Sequence, residues 1–464
     1  MWSSIFLIFV LCSRALAIWP APQSLETGDS ILWIEPNVKV TYNGGNVWWT
    51  SFLSNSKSRT EQVFDIQFSS YAAGNGGSFS GQTIVQQGIF RALQTLFTQN
   101  LVPWKLVGRN ELSNFEPDAD ASKTYISSLV ITQTGTDTQD TFKPLAGQVD
   151  ESYNLTIGTD FTANIDAVSS TGVLHALQTF IQLFYQHSTG AGIYTSMAPV
   201  TIVDAPKFHH RGLNMDVSRN WYPVADILRT IDALSWNKFN RLHIHMTDSQ
   251  SWPMDIPALP ELSEKGAYSK GLSYSPEDIQ NIQIYAIERG VEVIIEFDMP
   301  GHTTSIGLAY PDLIAAFDAK PWSTYCAEPP CGSLQLNNPN VTTFLETLFS
   351  DVLPRVSPYS AYFHTGGDEV NMETYTLDPT VNSSDKAVLT PLIQALLDRN
   401  HDQIRKAGLA PMVWEEMLLD WGLTLGDDVL VQSWLSDASV ANITAKGHKA
   451  IAGNYNFWVS FKSS

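Results

Sequence analysis

The chain has 464 residues, of which 44% are hydrophobic and 16% charged, too apolar for a disordered chain and too broken by polar clusters for a multispanning membrane protein. Its 47 acidic and 27 basic side chains leave a net charge of -20, a surface that repels phosphate backbones and argues against nucleic-acid binding. The 14 Trp, 16 Tyr and 22 Phe suit stacking on sugar rings, although a large core accounts for most of them.

Residues 1–17 read as a cleaved secretory signal. Ile5 to Cys12 is a short apolar run, Ala15-Leu16-Ala17 is a small-x-small cleavage site, and Arg14 follows the run instead of preceding it. Eight residues are too few to span a bilayer, and no later stretch reaches the roughly 18 apolar residues a spanning helix needs. The expectation is a secreted, extracellular chain with no membrane partner. After Cys12, only Cys326 and Cys331 remain, flanking Ala-Glu-Pro-Pro. An oxidising compartment favours a disulfide between them, and two sulfurs with no nearby His pair do not make a zinc site. Sequons stand at Asn154, Asn340, Asn382 and Asn442, which are glycosylation candidates.

Residues 18–203 read as an α+β domain. Thr124–Ile131 and Tyr153–Ile157 have strand patterns, and Gly172–Tyr185 spaces Val173, Leu177, Phe180, Ile181 and Phe184 along one helix face. Residues 204–464 change character. Apolar runs at Gly212–Met215, Arg241–Met246, Glu292–Phe297, Ala361–His364, Pro411–Trp414, Val429–Val431 and Lys449–Ala452 alternate with helical stretches such as Ser275–Arg289 and Thr390–Lys406. That alternation predicts α/β architecture with parallel strands and crossover helices, closing as a (β/α)8 TIM barrel. Seven strands are visible and an eighth is missing.

In such a barrel, chemistry sits where strands end. Those ends carry Asp216, Asp248, Asp298 with His302, Asp368 with Glu369, Glu415 with Glu416, and Trp434. A ring of carboxylates repels itself and needs a substrate, hydrogen bonds or cations to hold it. The sharpest segment is His364-Thr365-Gly366-Gly367-Asp368-Glu369. Two glycines allow a tight turn and close approach, and both carboxylates reach one pocket only if the chain bends there. Asp150-Glu151 is a second such pair, in a polar segment, and reads as a solvated loop. Asp298, four residues before His302, suggests a charge-supported pair. His243 and His245 face one side of their strand, a spacing that mimics a metal site but fits packing within the barrel better. Arg211 opens the first strand as a buried ion-pair partner or a fork for two sugar hydroxyls. Trp414 and Trp434 stand at later strand ends as core residues or as walls of a sugar pocket.

The motifs RGLNMDVSR, HIHMTDSQSWP, EFDMPGHT, HTGGDEVN, VWEEM and VQSW occur in the order found in family 20 β-N-acetylhexosaminidases. The chain resembles the secreted fungal members from about Ile18 to about Phe457. The resemblance implies retaining, substrate-assisted removal of terminal β-linked N-acetylglucosamine or N-acetylgalactosamine from chitin oligomers or glycan ends. Glu369 would be general acid and base, and Asp368 would orient the 2-acetamido group. Arg211 would bind ring hydroxyls, and Trp414 and Trp434 would wall the acetamido pocket. Asp248, Asp298 and His302 fall on supporting positions. No metal or organic cofactor is implied. Members are often homodimers, which makes a homodimer an expectation here.

Two features depart from the family pattern. Its Tyr-x-Asp segment has no match at Asn454-Tyr455-Asn456-Phe457-Trp458, and fungal members carry a propeptide that residues 18 to about 105 could contain. The expectation is therefore a C-terminally incomplete barrel. This keeps open a second reading, an inactive sugar-binding homologue, and a third, a two-carboxylate hydrolase with a protein nucleophile.

Overall fold

The structure is a computed structural model that describes residues 18–56, 59–68, 79–99, 116–138 and 140–453. Residues 1–17, expected to be a signal, and the residues around Tyr455 lie outside the described residues. No helix among the described residues is long and apolar enough to cross a membrane.

Two compact units are present. One comprises Met1–Ser78, Val85–Thr136 and Asp150–Pro206, the other Phe79–Ile84, Asp137–Val149 and Lys207–Ser464. The short segment Asp137–Val149 belongs with the later part of the chain for a visible reason. Ala146 N–H donates to Tyr362 Oη at 2.7 Å, and Lys143 Nζ donates to Ser357 O at 2.7 Å.

The first unit is an eight-stranded sheet. Its strands are β1 (Ser24–Tyr42), β2 (Gly45–Ser56), β3 (Arg59–Phe68), β4 (Tyr125–Gln133), β5 (Tyr153–Ile157), β6 (Thr162–Ala167), β7 (Tyr185–Gln186) and β8 (Ile193–Asp204), in the order β3-β2-β1-β4-β6-β5-β8-β7. Alternation buries one face: Tyr153, Leu155 and Ile157 on β5, and Ala163, Ile165 and Ala167 on β6. Helix Ser170–Gln182 shares that core through Val173, Leu177, Phe180 and Ile181. Ser169 starts it by accepting the Gly172 N–H. Asp150-Glu151 is not a solvated loop throughout, because Glu151 is buried with its carboxylate 3.7 Å from His175 Nε2.

The second unit carries all seven expected strands: Gly212–Asp216, Arg241–Thr247, Glu292–Phe297, Tyr362–His364, Ala410–Trp414, Leu430–Ser433 and Lys449–Ala452. Each pairs in parallel with its sequence neighbours, so the sheet runs from first to seventh without interruption. It is the curled parallel sheet of a TIM-barrel-like domain. The connecting helices have local causes. Ser275 and Asp278 form a reciprocal capping box at the start of Pro276–Ile287. Asp385 caps Lys386–Lys406 through Ala387 N–H, which starts that helix four residues before Thr390. Parallel strands and helices that follow them put every strand's C-terminal end on one rim.

Candidate active site

The rim geometry begins with the two glycines. Gly366 has φ +68°, and a Cβ there would lie 1.8 Å from Asp298 Oδ1; Gly367 has φ +107°, and its Cβ would lie 2.6 Å from Met417 Cγ. No other residue fits this turn. Gly367 N–H donates to Asp298 Oδ1 at 2.9 Å, which locks the turn to the end of the third strand. Glu369 then adopts φ +52°, and His302 adopts φ +54°. Left-handed backbone at non-glycine residues costs energy and is held only by surrounding structure. Here it supplies the bend that brings two adjacent carboxylates to one place: His302 Nε2 lies 3.3 Å from Glu369 Oε2 and 3.9 Å from Asp368 Oδ2.

His302 does not pair with Asp298 as its spacing suggested. Its Nδ1 hydrogen-bonds Asp248 Oδ1 at 3.0 Å, a partner 54 residues away in sequence. Asp248 also meets His245 Nε2 at 2.8 Å, Arg219 Nη2 at 2.9 Å and the Ser249 N–H. Burial opposes a charge on Asp248, yet His302 and the imidazole hydrogen bonds hold its carboxyl well below the usual range. Burial likewise opposes a proton on His302, but Asp248, then Asp298 and Asp368, outweigh it and raise the imidazole well above its usual value.

Asp298 and Asp368 act on each other's charge. Burial raises both; the Asp368 charge raises Asp298 further, and His302 pulls Asp368 back down. Four overlapping sets of ligand-type groups gather here: His243–Glu296–His364, His245–Glu296–Asp298, Asp248–Asp298–His302 and His302–Asp368–Glu369, each with atoms within 4.8 Å. They are consecutive members of one chain of imidazole–carboxylate contacts. His243 and His245 thus both belong to the barrel interior, packed around Glu296.

Arg211 is placed at the opposite end from this site. It precedes the first strand, and its Nε and Nη1 donate to Lys238 O and Phe208 O at 2.8 and 2.7 Å. The arginine that reaches the rim is Arg219, eight residues on in the same motif. Its guanidinium meets Asp216, Asp248 and Glu328 at 2.9, 2.9 and 3.0 Å. The missed signal was direction: a residue after a strand lies at its C-terminal rim, and Asp216-x-x-Arg219 is the sequence mark of that pair. Trp414 is 3% exposed, with its indole N–H on Glu296 Oε1 at 2.7 Å. Trp434 is half-buried, and its indole N–H donates to both Glu416 oxygens at 2.9 and 3.1 Å. Burial, with the nearby Asp368 charge, pushes Glu416 up to about 8. Glu415 accepts the Trp434 and Leu435 N–H groups.

Cys326 and Cys331 form a disulfide. Their loop reaches the rim through Glu328 on Arg219 and through Thr324 O, which accepts the Asn371 side-chain amide at 3.1 Å. The sequon residues Asn154, Asn340, Asn382 and Asn442 are all exposed.

A parallel curled sheet with paired carboxylates at its C-terminal rim, one of them 3.3 Å from an imidazole, is the arrangement of a hydrolase site of the TIM-barrel class. Residues 208–459 match the catalytic domain of glycosyl hydrolase family 20, and residues 18–183 match a β-acetyl hexosaminidase-like domain. The chain belongs to glycosyl hydrolase family 20. It is 38% identical to a β-hexosaminidase of Arthroderma benhamiae, over 97% of this chain and 76% of the relative. It is 34% identical to the human β-hexosaminidase subunit beta, over 72% of this chain and 60% of that one. A chitobiase structure from Flavobacterium johnsoniae superposes with a TM-score of 0.68 at 27% identity, covering 94% of this chain and 58% of that one. The chain thus spans under two thirds of the length of several relatives, including β-hexosaminidase 3 of Arabidopsis thaliana at 56%.

Proposed function

We propose that this chain is a secreted β-N-acetylhexosaminidase that removes terminal, non-reducing β-linked N-acetylglucosamine or N-acetylgalactosamine from chitin oligomers or glycans. The observation that carries the proposal is the division of labour between Asp368 and Glu369. Glu369 lies on His302, which is tied to Asp248. Asp368 sits beside Asp298, whose carboxyl burial and the Asp368 charge hold well above its usual range. Glu369 gives its proton to the glycosidic oxygen as the C1–O bond breaks. The substrate's acetamido carbonyl oxygen bonds to C1 while Asp368 accepts the amide N–H and balances the charge that develops there. The cyclic oxazolinium then opens when water adds to C1 and gives its proton to Glu369. Two displacements at C1 retain the β configuration. Arg219 takes the hydroxyl-binding role that the motif first suggested for Arg211. Trp414 and Trp434, each fixed through its indole N–H, take the acetamido walls. The apolar signal segment supports secretion.

The test is release of nitrophenol from the β-N-acetylglucosaminide beside the plain β-glucoside, using the secreted chain. Turnover of the acetamido substrate alone supports the proposal. Comparable turnover of both would assign the site to a hydrolase with a protein nucleophile, and turnover of neither would leave a sugar-binding homologue.

A further inference from the structure

Glu296 has no task in the reaction above, yet it is fully buried in the third barrel strand, where a lone anion is costly. Its two oxygens have different partners. Oε1 accepts the Trp414 indole N–H at 2.7 Å and lies 3.4 Å from His364 Nδ1. Oε2 lies 3.0 Å from His245 Nδ1 and 2.7 Å from His243 Nε2. His364 Nδ1 already accepts the Gly366 N–H at 2.9 Å, so that ring is a neutral acceptor; burial lowers it to about 3. His245 is different. Both its nitrogens face carboxylates, Asp248 on one side and Glu296 on the other. Glu369, His302, Asp248, His245, Glu296 and Trp414 therefore form one path in which no contact exceeds 3.3 Å.

The geometry points to Glu296 as a positioning residue that joins the acid Glu369, through His245, Asp248 and His302, to the indole of Trp414. This rests on the reading of Glu369 as acid and Trp414 as pocket wall. Charges alternate along the path. Burial opposes a proton on His245, but Glu296 and Asp248 outweigh it. Burial opposes a charge on Glu296, but the imidazoles around it, His245 first, outweigh it. The groups facing Glu296 are His243 and His245 from the second strand, His364 from the fourth and Trp414 from the fifth. Its charge also acts on Asp298 and Asp368 at longer range. A glutamine at 296 keeps an acceptor for the indole and removes the anion that holds the proton on His245. Asp248 then loses an imidazolium donor and pulls harder on His302, which changes how His302 holds Glu369.

The experiment compares kcat/KM on N-acetylglucosaminides of a poor and a good phenolic leaving group. The good one needs little help from an acid. Glu296→Gln and His245→Gln are expected to lose roughly tenfold or more on the poor leaving group and under about threefold on the good one. In a Glu369→Gln background, Glu296→Gln is expected to leave the ratio of the two rates unchanged, because the path no longer ends on an acid. His243→Asn touches the same Oε2 but does not connect Glu296 to Glu369, and is expected to shift the ratio less than His245→Gln does. Equal losses on both substrates, adding fully to Glu369→Gln, would overturn the inference.

NMR of isotope-labelled histidines gives a readout independent of turnover and of modest destabilisation. In Glu296→Gln, His245 should lose its proton at lower pH and His302 at higher pH; an unmoved His302 would overturn the inference. A parent chain that turns over neither substrate contradicts the proposed function itself, whereas an active parent with unchanged ratios contradicts only the role of Glu296.

Discussion

The two ends of the same parallel sheet hold buried charges in opposite ways. At the N-terminal end, Arg241 pairs with Glu292 at 3.3 Å, and its remaining groups donate to Asn240 O and Pro144 O. Glu292 Oε1 accepts the Ser360 hydroxyl and the Ala361 N–H. Fixed charges meet each other and main-chain groups. At the C-terminal end, the carboxylates of Asp248, Asp298, Asp368 and Glu369 meet imidazoles that can change charge. Two of the residues involved, His302 and Glu369, hold left-handed backbone. Asp298 Oδ2, His302 Nε2 and Asp368 Oδ1 are buried without a hydrogen-bond partner. The first arrangement sets its two charges against each other and serves stability, Arg241 Nε facing Glu292 Oε2 across 3.3 Å. The second leaves polar capacity open for a substrate, which is how residues of the same types come to serve chemistry.

Substitutions can break this contrast from either side. The largest effect is expected for Glu369→Gln, with kcat/KM falling roughly 10²–10⁴-fold on a substrate with a poor leaving group; a near-parental rate would remove Glu369 from the acid role. Asp368→Asn should lose roughly 10²–10³-fold, because the anion facing the acetamido group disappears. Its effect belongs in kcat, and a change confined to KM would contradict the role given to Asp368. At the other end, Glu292→Gln strands a buried guanidinium and should cost about 3–5 kcal/mol of stability. Denaturant melts would show that loss, while turnover per folded molecule stays parental.

The two arginines of one motif sharpen the contrast. Arg219→Lys removes a planar fork at the rim and should raise KM roughly 10- to 100-fold, whereas Arg211→Lys should leave KM unchanged. The smallest effect concerns Glu416. Its carboxyl is raised from an ordinary value of 4.5 to about 8, so the stability linked to it is complete below 4.5 and is lost as pH rises through about 8. Glu416→Gln should flatten the melting temperature across that window; an unchanged pH slope would show that Glu416 is not held protonated.

Much of the fold was legible because parallel strands buried on both faces are short apolar runs set between helices. All seven runs became strands, with ends shifted by a residue or two, as at Ala410 and Ser433. The paired carboxylates at 368 and 369 were legible because the preceding glycines leave no other explanation for the turn. Partner choice was not. Asp298 is four residues from His302, but the imidazole pairs with Asp248, because contacts across a curled sheet do not follow sequence distance. Arg211 was misplaced because two arginines flank one five-residue strand and only the strand's direction tells them apart. Glu296 ended a buried strand in plain view, but its place at the centre of three histidines depends on register between the second, third and fourth strands. Asp137–Val149 joins the barrel unit through contacts with residues more than 200 positions away, which no local pattern encodes.

The central claim is that the substrate's own acetamido oxygen attacks C1. The most direct test replaces the acetyl methyl hydrogens of a nitrophenyl β-N-acetylglucosaminide with fluorine, one at a time, and follows kcat. Each fluorine withdraws electrons from the carbonyl oxygen and weakens it as a nucleophile. The account predicts a steep, monotonic fall in kcat along the series; a flat dependence would place the nucleophile on the protein and contradict it.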